Sequence, residues 1–269
     1  RYAANEVVGV YTTEKQEVTQ RTLTIGEIKR IPGTFGDPVK VIQTLPGAAR
    51  SPFGSGLLII RGANPEDSGV YVDGIRIPIV YHLTGTTSVL QPDIIDQVDY
   101  LPGGYGAQYG RTTGGAVDIK TKSSFDETKL SFGADVLDAQ VMFQGSFNAR
   151  KGDDDGPKHG LAIGARRSYV DVFIPLFTAG SEFKIQPYYW DYQLKYLAPT
   201  DKDTTASVFV YGFQDILKFS TPDDQAQGSN KDTQGALGIE YSTHRIIGHY
   251  RRKFSDKLRF EITPSFGID

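Results

Sequence analysis

Apolar and polar residues alternate one by one along much of the second half of the chain. Between Ala139 and Arg150, Val141, Phe143 and Phe147 share one face, and polar residues such as Gln144 occupy the other. A later segment repeats the split, with one mainly aromatic face opposite a mainly polar one: Tyr188, Trp190, Tyr192, Leu194, Tyr196 against Tyr189, Asp191, Gln193, Lys195. Successive side chains of a β-strand point to opposite faces, so this pattern predicts amphipathic strands.

The alternation defines seven strands, whose connections differ in length. Their predicted bounds are about Lys129 to Val136, Ala139 to Arg150, Gly160 to Phe173, Pro187 to Ala198, Thr204 to Phe219, Gln234 to Arg252 and Lys257 to Phe266. Compact polar connections follow the second, fourth and sixth strands, and longer ones follow the third and fifth. Membrane-spanning barrels show this asymmetry and have long strands. A soluble β-sandwich also alternates and stays an alternative.

The first half of the chain has a different pattern. Short apolar runs such as Leu57 to Ile60 lie between glycines and prolines from about Ile25 to Lys122, which indicates a small mixed α/β domain. A helix is predicted from Asp37 to Leu45, because Asp37 can cap it and Pro38 suits its first turn. A second, short helix is predicted from Pro92 to Ile95. Asp73-Gly74 has the composition of a hairpin turn.

Composition narrows the possible chemistry. The chain has 269 residues, a formal net charge of -3 and no cysteine, which excludes thiolate metal sites, disulfides and cysteine nucleophiles. The near-neutral charge gives no basic field for nucleic acid. The chain contains no run of about 18 apolar residues, so the sequence predicts no membrane-spanning helix. Without nucleophile-elbow, carboxylate-pair or metal-ligand motifs, we expect no enzyme activity, no cofactor and no metal centre.

An ordered set of motifs in the first half resembles the plug domain of TonB-dependent outer-membrane receptors. The matching segments are Ile60-Arg61-Gly62, Val70 to Ile75, Ile94 to Gly110 and Gly114 to Lys122, and alternating strands follow at once. The resemblance implies a plug filling the lumen of a 22-stranded antiparallel transmembrane β-barrel in the bacterial outer membrane. It divides the chain into an N-terminal segment (1–24), a plug domain (25–122) and the first barrel strands (123–269). Seven strands cannot close that barrel, so we expect an N-terminal portion of a receptor.

The resemblance also implies how the plug is held. Plug arginines of the family pair with glutamates on the barrel wall, and Arg61 matches such a position more closely than Arg111 does. Strand parity places Glu240 and Glu261 toward the lumen, which makes them candidate partners. An arginine and a carboxylate desolvated together form a geometrically specific pair.

Two further sites are implied by the resemblance. Glu6-Val7-Val8-Gly9-Val10-Tyr11 is the candidate TonB contact, which would pair by strand addition through its backbone. Ligand contacts are expected on plug loops, with the candidates Asn64, Glu66, Asp67, Tyr81 and His82. A packed or hydrogen-bonded role for His82 is an open alternative.

The resulting functional hypothesis is energised import. An extracellular ligand would bind, the plug would rearrange, and TonB with its inner-membrane energising complex would supply the work. The expected partners are TonB, outer-membrane lipid and a ligand that the sequence does not identify. The alternative is a plugged barrel that serves adhesion, envelope assembly or protein secretion.

Overall fold

The computed structural model has two parts, a small mixed sheet and a larger antiparallel one. It describes residues 20–28, 30–34, 37–50, 58–83, 85, 87–148, 158–177, 184–198, 201, 203–220 and 237–269. We call the first part the plug and the second the wall, as the resemblance predicts. The candidate TonB contact, residues 6–11, lies outside the described residues.

The plug contains seven strands. They are β1 (Arg21–Thr24), β2 (Ala48–Arg50), β3 (Leu58–Ile60), β4 (Ser68–Val72), β5 (Ile75–Ile77), β6 (Ile95–Leu101) and β7 (Gly115–Thr121). Five form a sheet in the order β1-β6-β7-β4-β5, in which only β4 and β7 run parallel, and β2 pairs with β3. Strand β1, which the sequence assigned to the segment before the plug, is the edge strand of this sheet, followed by the short helix α1 (Ile25–Ile28).

The predicted helices are present as 3-10 segments at Lys40–Thr44 and Pro92–Ile94. The N-cap of the first is Val39, and Asp37 holds the turn before it, because its Oδ1 accepts hydrogen bonds from the backbone N–H of Val39 at 2.9 Å and of Lys40 at 3.2 Å. A third such segment, Pro65–Asp67, precedes β4.

The predicted hairpin turn joins β4 to β5. Asp73 and Gly74 have φ angles of 48° and 81°, the left-handed conformation that a two-residue turn of this twist requires. The turn directs the Asp73 carboxylate away from its own hairpin, where its oxygens accept hydrogen bonds from the backbone N–H and hydroxyl of Thr121.

The wall follows as one antiparallel sheet. Its strands are β8 (Lys129–Ala134), β9 (Asp138–Asn148), β10 (Lys158–Ser168), β11 (Lys184–Leu197), β12 (Thr204–Ser220), β13 (Leu237–Lys253), β14 (Arg259–Ile262) and β15 (Ser265–Ile268). Each of β8 to β14 pairs with its neighbour in the chain, and β15 also pairs with β13. The expectation of a mixed plug followed by antiparallel wall strands is confirmed.

Two strand bounds differ from the sequence prediction. The third predicted strand ends at Ser168, not at Phe173, and the helix α2 (Val170–Phe177) follows. Its first turn is held by Ser168 Oγ, which accepts from the Val170 N–H at 3.4 Å, and by the Arg167–Asp171 ion pair at 3.3 Å. The last predicted strand is split into β14 and β15 around Pro264, which has no N–H to donate to the ladder.

Over β9 to β11, the two wall faces are those that the alternation predicts. Side chains on the outer face are apolar and exposed, including Val141, Phe143, Phe147 and Ile163. On the inner face, Met142, Ala162, Phe209 and Phe213 join the apolar core of the plug in one continuous cluster. Plug and wall therefore share a core. No described helix has the length and apolar character needed to cross a membrane.

A charge on the outer face should destabilise the fold according to its depth in the lipid. Ile163 lies midway along β10, between Phe143 and Leu194, and Phe147 lies near the end of β9. Ile163→Lys is expected to cost about 2–4 kcal/mol of unfolding free energy and Phe147→Lys about 0–1 kcal/mol. Denaturant unfolding in lipid vesicles measures both. Equal costs would contradict the assignment of this face to lipid.

Candidate functional site at the interface of plug and wall

Strand β11 presents a polar inner face to the plug. Its buried residues are Pro187, Tyr189, Asp191, Gln193, Lys195 and Leu197, and the aromatic side chains between them point outward. A charged or amide group buried in this way costs free energy unless it is paired. The partners of this strand are therefore the natural place to look for what fixes the plug.

One segment of the plug, whose described residues are 78–83, 85 and 87–91, meets the end of β11 that carries Tyr189, Asp191 and Gln193. We call it the docking segment. Its backbone carbonyls accept hydrogen bonds from the wall, since Gln193 Nε2 donates to Val89 O at 3.1 Å and Arg166 Nη2 donates to Ser88 O at 2.5 Å. The segment is tied to the rest of the plug by Asp37, whose Oδ2 accepts from the Ser88 N–H at 2.6 Å.

His82 of the docking segment lies between two carboxylates of the wall. Its Nδ1 is 2.9 Å from Asp215 Oδ1 and its Nε2 is 3.3 Å from Asp191 Oδ2. The imidazole is fully buried, and Asp191 is 1% and Asp215 2% exposed. A doubly protonated ring donates to both carboxylates, whereas a neutral ring donates to one of them and can accept at Nε2 from Arg166 Nη2, which lies 3.5 Å away.

Arg166 completes the charge balance. It lies opposite Asp191 on the neighbouring strand, and its Nε donates to Asp191 Oδ2 at 2.6 Å. Asp191 is therefore shared between a wall cation and a plug cation. Gln91 Nε2 adds a weaker contact to Asp191 Oδ1 at 3.4 Å.

A ring stack supports His82 from the other side. The Tyr189 ring lies against the imidazole with centroids 4.0 Å apart and planes inclined by 17°. Its hydroxyl donates to Asp138 Oδ2 at 2.5 Å. Four wall strands, β9 to β12, thus contribute charged or aromatic groups to the surroundings of one plug side chain.

A second polar contact joins Lys195 of β11 to the Asp73-Gly74 turn. Lys195 Nζ lies 3.5 Å from Asp73 Oδ2 and also donates to the hydroxyl of Thr121. The adjoining cavity, about 320 Å³ in volume, is lined from the plug by Lys120 and from the wall by Glu261, among others. Asp73 and Lys195, which both line this cavity, are paired with each other.

The predicted plug arginines lie on exposed turns. Arg61 and Arg111 have φ angles of 56° and 58°, and the Arg61 guanidinium packs against Gly103, where a Cβ would meet its Nη1 at 2.4 Å. Within the described residues, neither arginine forms an ion pair with Glu240 or Glu261. The pairing stays a prediction.

The predicted inward orientation is wrong for Glu240 and right for Glu261. Glu240 lies on the outer face and accepts a hydrogen bond from Gln214 at 2.5 Å, whereas its neighbour Tyr241 packs against the core. The alternation fails here because this end of β13 carries the apolar residues Ile239 and Tyr241 on the inner face. Glu261 lines the inner cavity.

The candidate ligand contacts differ in their exposure to solvent. Asn64 and Glu66 are exposed and Asp67 is half-buried, so ligand contact by these three stays a prediction. Tyr81 and His82 are 3% and 0% exposed, and with Glu66 they line a cavity of about 250 Å³, so ligand contact by these two also stays a prediction. The packed role for His82 is the one observed, because wall carboxylates hold its ring.

Sequence reasoning did not single out the partners of His82. Asp191 was assigned to the polar face of its strand, and Arg166 and Asp215 were not singled out at all. One signal was present, namely ionisable residues at inward positions of strands that are otherwise aromatic. Such residues need partners on whatever fills the lumen.

Removing Asp191 should weaken the docking of the plug strongly. Asp191→Ala leaves Arg166 and His82 buried with too few counter-charges, at an expected cost of roughly 3–5 kcal/mol. The double variant Asp191→Leu/Arg166→Met should be less destabilised than the sum of the single variants, because no bare charge is left between these two positions. Denaturant unfolding measures each variant, and strict additivity would refute the shared pairing.

A family model identifies the first half of the chain. The model described as the TonB-dependent receptor plug domain matches residues 12–117. A search of curated protein sequences gave no match.

Solved structures with the same fold cover both plug and wall. The Escherichia coli K12 ferric-catecholate import receptor Fiu matches with a TM-score of 0.60 at 13% identity, over 92% of this chain and 38% of its own. Pseudomonas aeruginosa FpvA, in a complex with pyoverdine and iron, matches with 0.60 at 13%, over 95% and 34%. The P. aeruginosa ferric enterobactin receptor PfeA matches with 0.51 at 15%, over 94% and 48%.

This chain thus spans between about a third and half of each matched structure. The match to the plug family model agrees with the observed plug sheet and with the antiparallel wall that follows it. The chain carries a domain that matches the TonB-dependent receptor plug over residues 12–117, followed by wall strands with the fold of the matched receptor structures.

Proposed function

We propose that the receptor containing this chain imports an extracellular ligand with energy supplied through TonB. The observation that carries this proposal is the shared interior of plug and wall, where an apolar cluster and buried ionic contacts bind the two parts together. A ligand that crosses such an interface requires the plug to move. Separating buried ion pairs costs several kcal/mol, so the movement needs an external source of work.

TonB contact through residues 6–11 is part of the proposal. Strand β1 begins ten residues after this segment and is the edge strand of the plug sheet, bound to β6 by backbone pairing and by Thr22 Oγ1, which donates to Asp99 at 2.6 Å. A pull on residues 6–11 would therefore reach β6 first. This supports transmission of force from TonB to the centre of the plug sheet.

The ligand class is a further part of it. The matched structures are named for ferric catecholate, ferric enterobactin and pyoverdine with iron. Their fold supports ferric siderophores as the first class to test, with Asn64, Glu66 and Asp67 as candidate contacts. Arg61 and Arg111 are proposed to anchor the plug through wall carboxylates, of which Glu261 is an inward-facing candidate.

Radioactive iron uptake tests the import function. The receptor is expressed in an outer-membrane host that lacks its own siderophore receptors, and a panel of ferric catecholates and pyoverdines is supplied. Uptake that requires both the receptor and TonB is the expected result. Adhesion or secretion that persists without TonB, with no uptake of any ligand in the panel, would favour the alternative function.

Proline substitution should uncouple binding from transport. Val8→Pro and Val10→Pro remove backbone N–H donors that strand addition uses, each worth about 1 kcal/mol. The pair is expected to lower uptake roughly tenfold or more. Ligand affinity at the cell surface should not change. Glu6→Ala is the matched control, because it alters a side chain but keeps the backbone donors, and its uptake should stay near wild type.

A further inference from the structure

Among the described groups that join the docking segment to the wall, His82 is the one whose ordinary pKa lies near neutral pH. The groups that face it are carboxylates and a guanidinium from the wall and a phenol beneath its ring: Asp191, Asp215, Arg166, Tyr189. Asp138 lies one hydrogen bond further away, through Tyr189. With His82 charged, two cations face the two nearest carboxylates. With His82 neutral, one cation remains.

Asp215 depends on His82 more than Asp191 does, because Asp191 also accepts from Arg166 Nε at 2.6 Å. Among the described residues, His82 is the hydrogen-bond donor to the Asp215 side chain, and Asp215 Oδ2 is buried without a partner. A neutral imidazole can donate from one nitrogen only, so one of the two carboxylates would then face a lone pair. If that carboxylate is Asp215, it is left bare in the interior. Such a group is expensive to keep buried.

The second polar contact has no histidine. Asp73 and Lys195 fasten the Asp73-Gly74 turn to the wall through a carboxylate and an ammonium. The ordinary pKa of a carboxylate lies well below neutral pH, and that of an ammonium lies well above it. The docking segment and the Asp73-Gly74 turn are therefore fastened to the wall by chemically different groups.

We propose that His82 is a proton-dependent latch, which fastens the docking segment to the wall when protonated and releases it when deprotonated, while the Asp73–Lys195 contact retains the rest of the plug. The latch is a property of plug and wall alone, and it operates whether or not the receptor imports a ligand.

The direction of the pH effect follows from the surroundings of the ring. Burial lowers the pKa of His82, but the hydrogen bonds to Asp191 and Asp215 and the attraction of Asp215 outweigh it, so the pKa lies above its ordinary 6.5. The latch therefore contributes its full stability below pH 6.5 and loses it as pH rises through the raised value. Alkaline conditions open it.

Hydrogen exchange with mass spectrometry on the detergent-solubilised receptor tests the latch. Protection of peptides from residues 78–91 is followed from about pH 6 to pH 9, corrected for intrinsic exchange. One proton gives at most about a tenfold loss of protection per pH unit. We expect such a loss in the docking segment and a flat profile in β7. A flat profile in both would overturn the proposal.

Two variants separate the latch from general loosening. His82→Gln keeps an amide donor but cannot titrate near neutral pH, so its protection should be low and independent of pH. Lys195→Met weakens the inner contact without touching His82, so it should keep the wild-type pH slope. A slope in His82→Gln equal to that of the wild type would refute the role of His82.

A measurement on the unmodified protein covers the case in which the variant fails to fold. The chain has four histidines, so ¹⁵N-histidine NMR resolves few signals. We expect one histidine to keep a doubly protonated ring to higher pH than the ordinary pKa of 6.5 allows. Loss of every doubly protonated signal at or below pH 6.5 would overturn the proposal.

Discussion

Polar side chains that point into a lumen filled by protein must find their partners on the plug. The inner face of the wall carries Asp191, Asp215 and Arg166 at buried positions, where water does not solvate them. The cost of an unpaired buried charge exceeds the typical value of a single hydrogen bond. The charges of the wall therefore fix which plug residue lies at which height, and His82 satisfies two of them at once.

The plug is held in two places by different chemistry. The docking segment is bound through backbone carbonyls and one imidazole, whereas the Asp73-Gly74 turn is bound through an ammonium. The turn conformation matters for the second contact, because a left-handed φ at Asp73 directs its carboxylate toward β7 and the wall. Local backbone geometry and long-range charge pairing thus act together at this point.

Sequence patterns predicted the features that depend on residues close together in the chain. The alternation in β11 gave the correct inner and outer faces, because lipid selects aromatic residues outside and the plug tolerates polar ones inside. It failed at Glu240, near the start of β13, where apolar residues face inward and the acid faces outward. It also extended a strand past Ser168, where a hydroxyl cap and the Arg167–Asp171 pair start a helix instead.

By itself, the sequence determined the two-part architecture, the plug motifs, the hairpin turn at Asp73 and the faces of most wall strands, since each depends on residues close together in the chain. The tertiary structure alone decided which charges meet. Asp191 and Asp215 lie 109 and 133 residues after His82. Their meeting depends on how the plug is rotated inside the wall, and no local pattern encodes that rotation, because it results from the packing of the whole shared core.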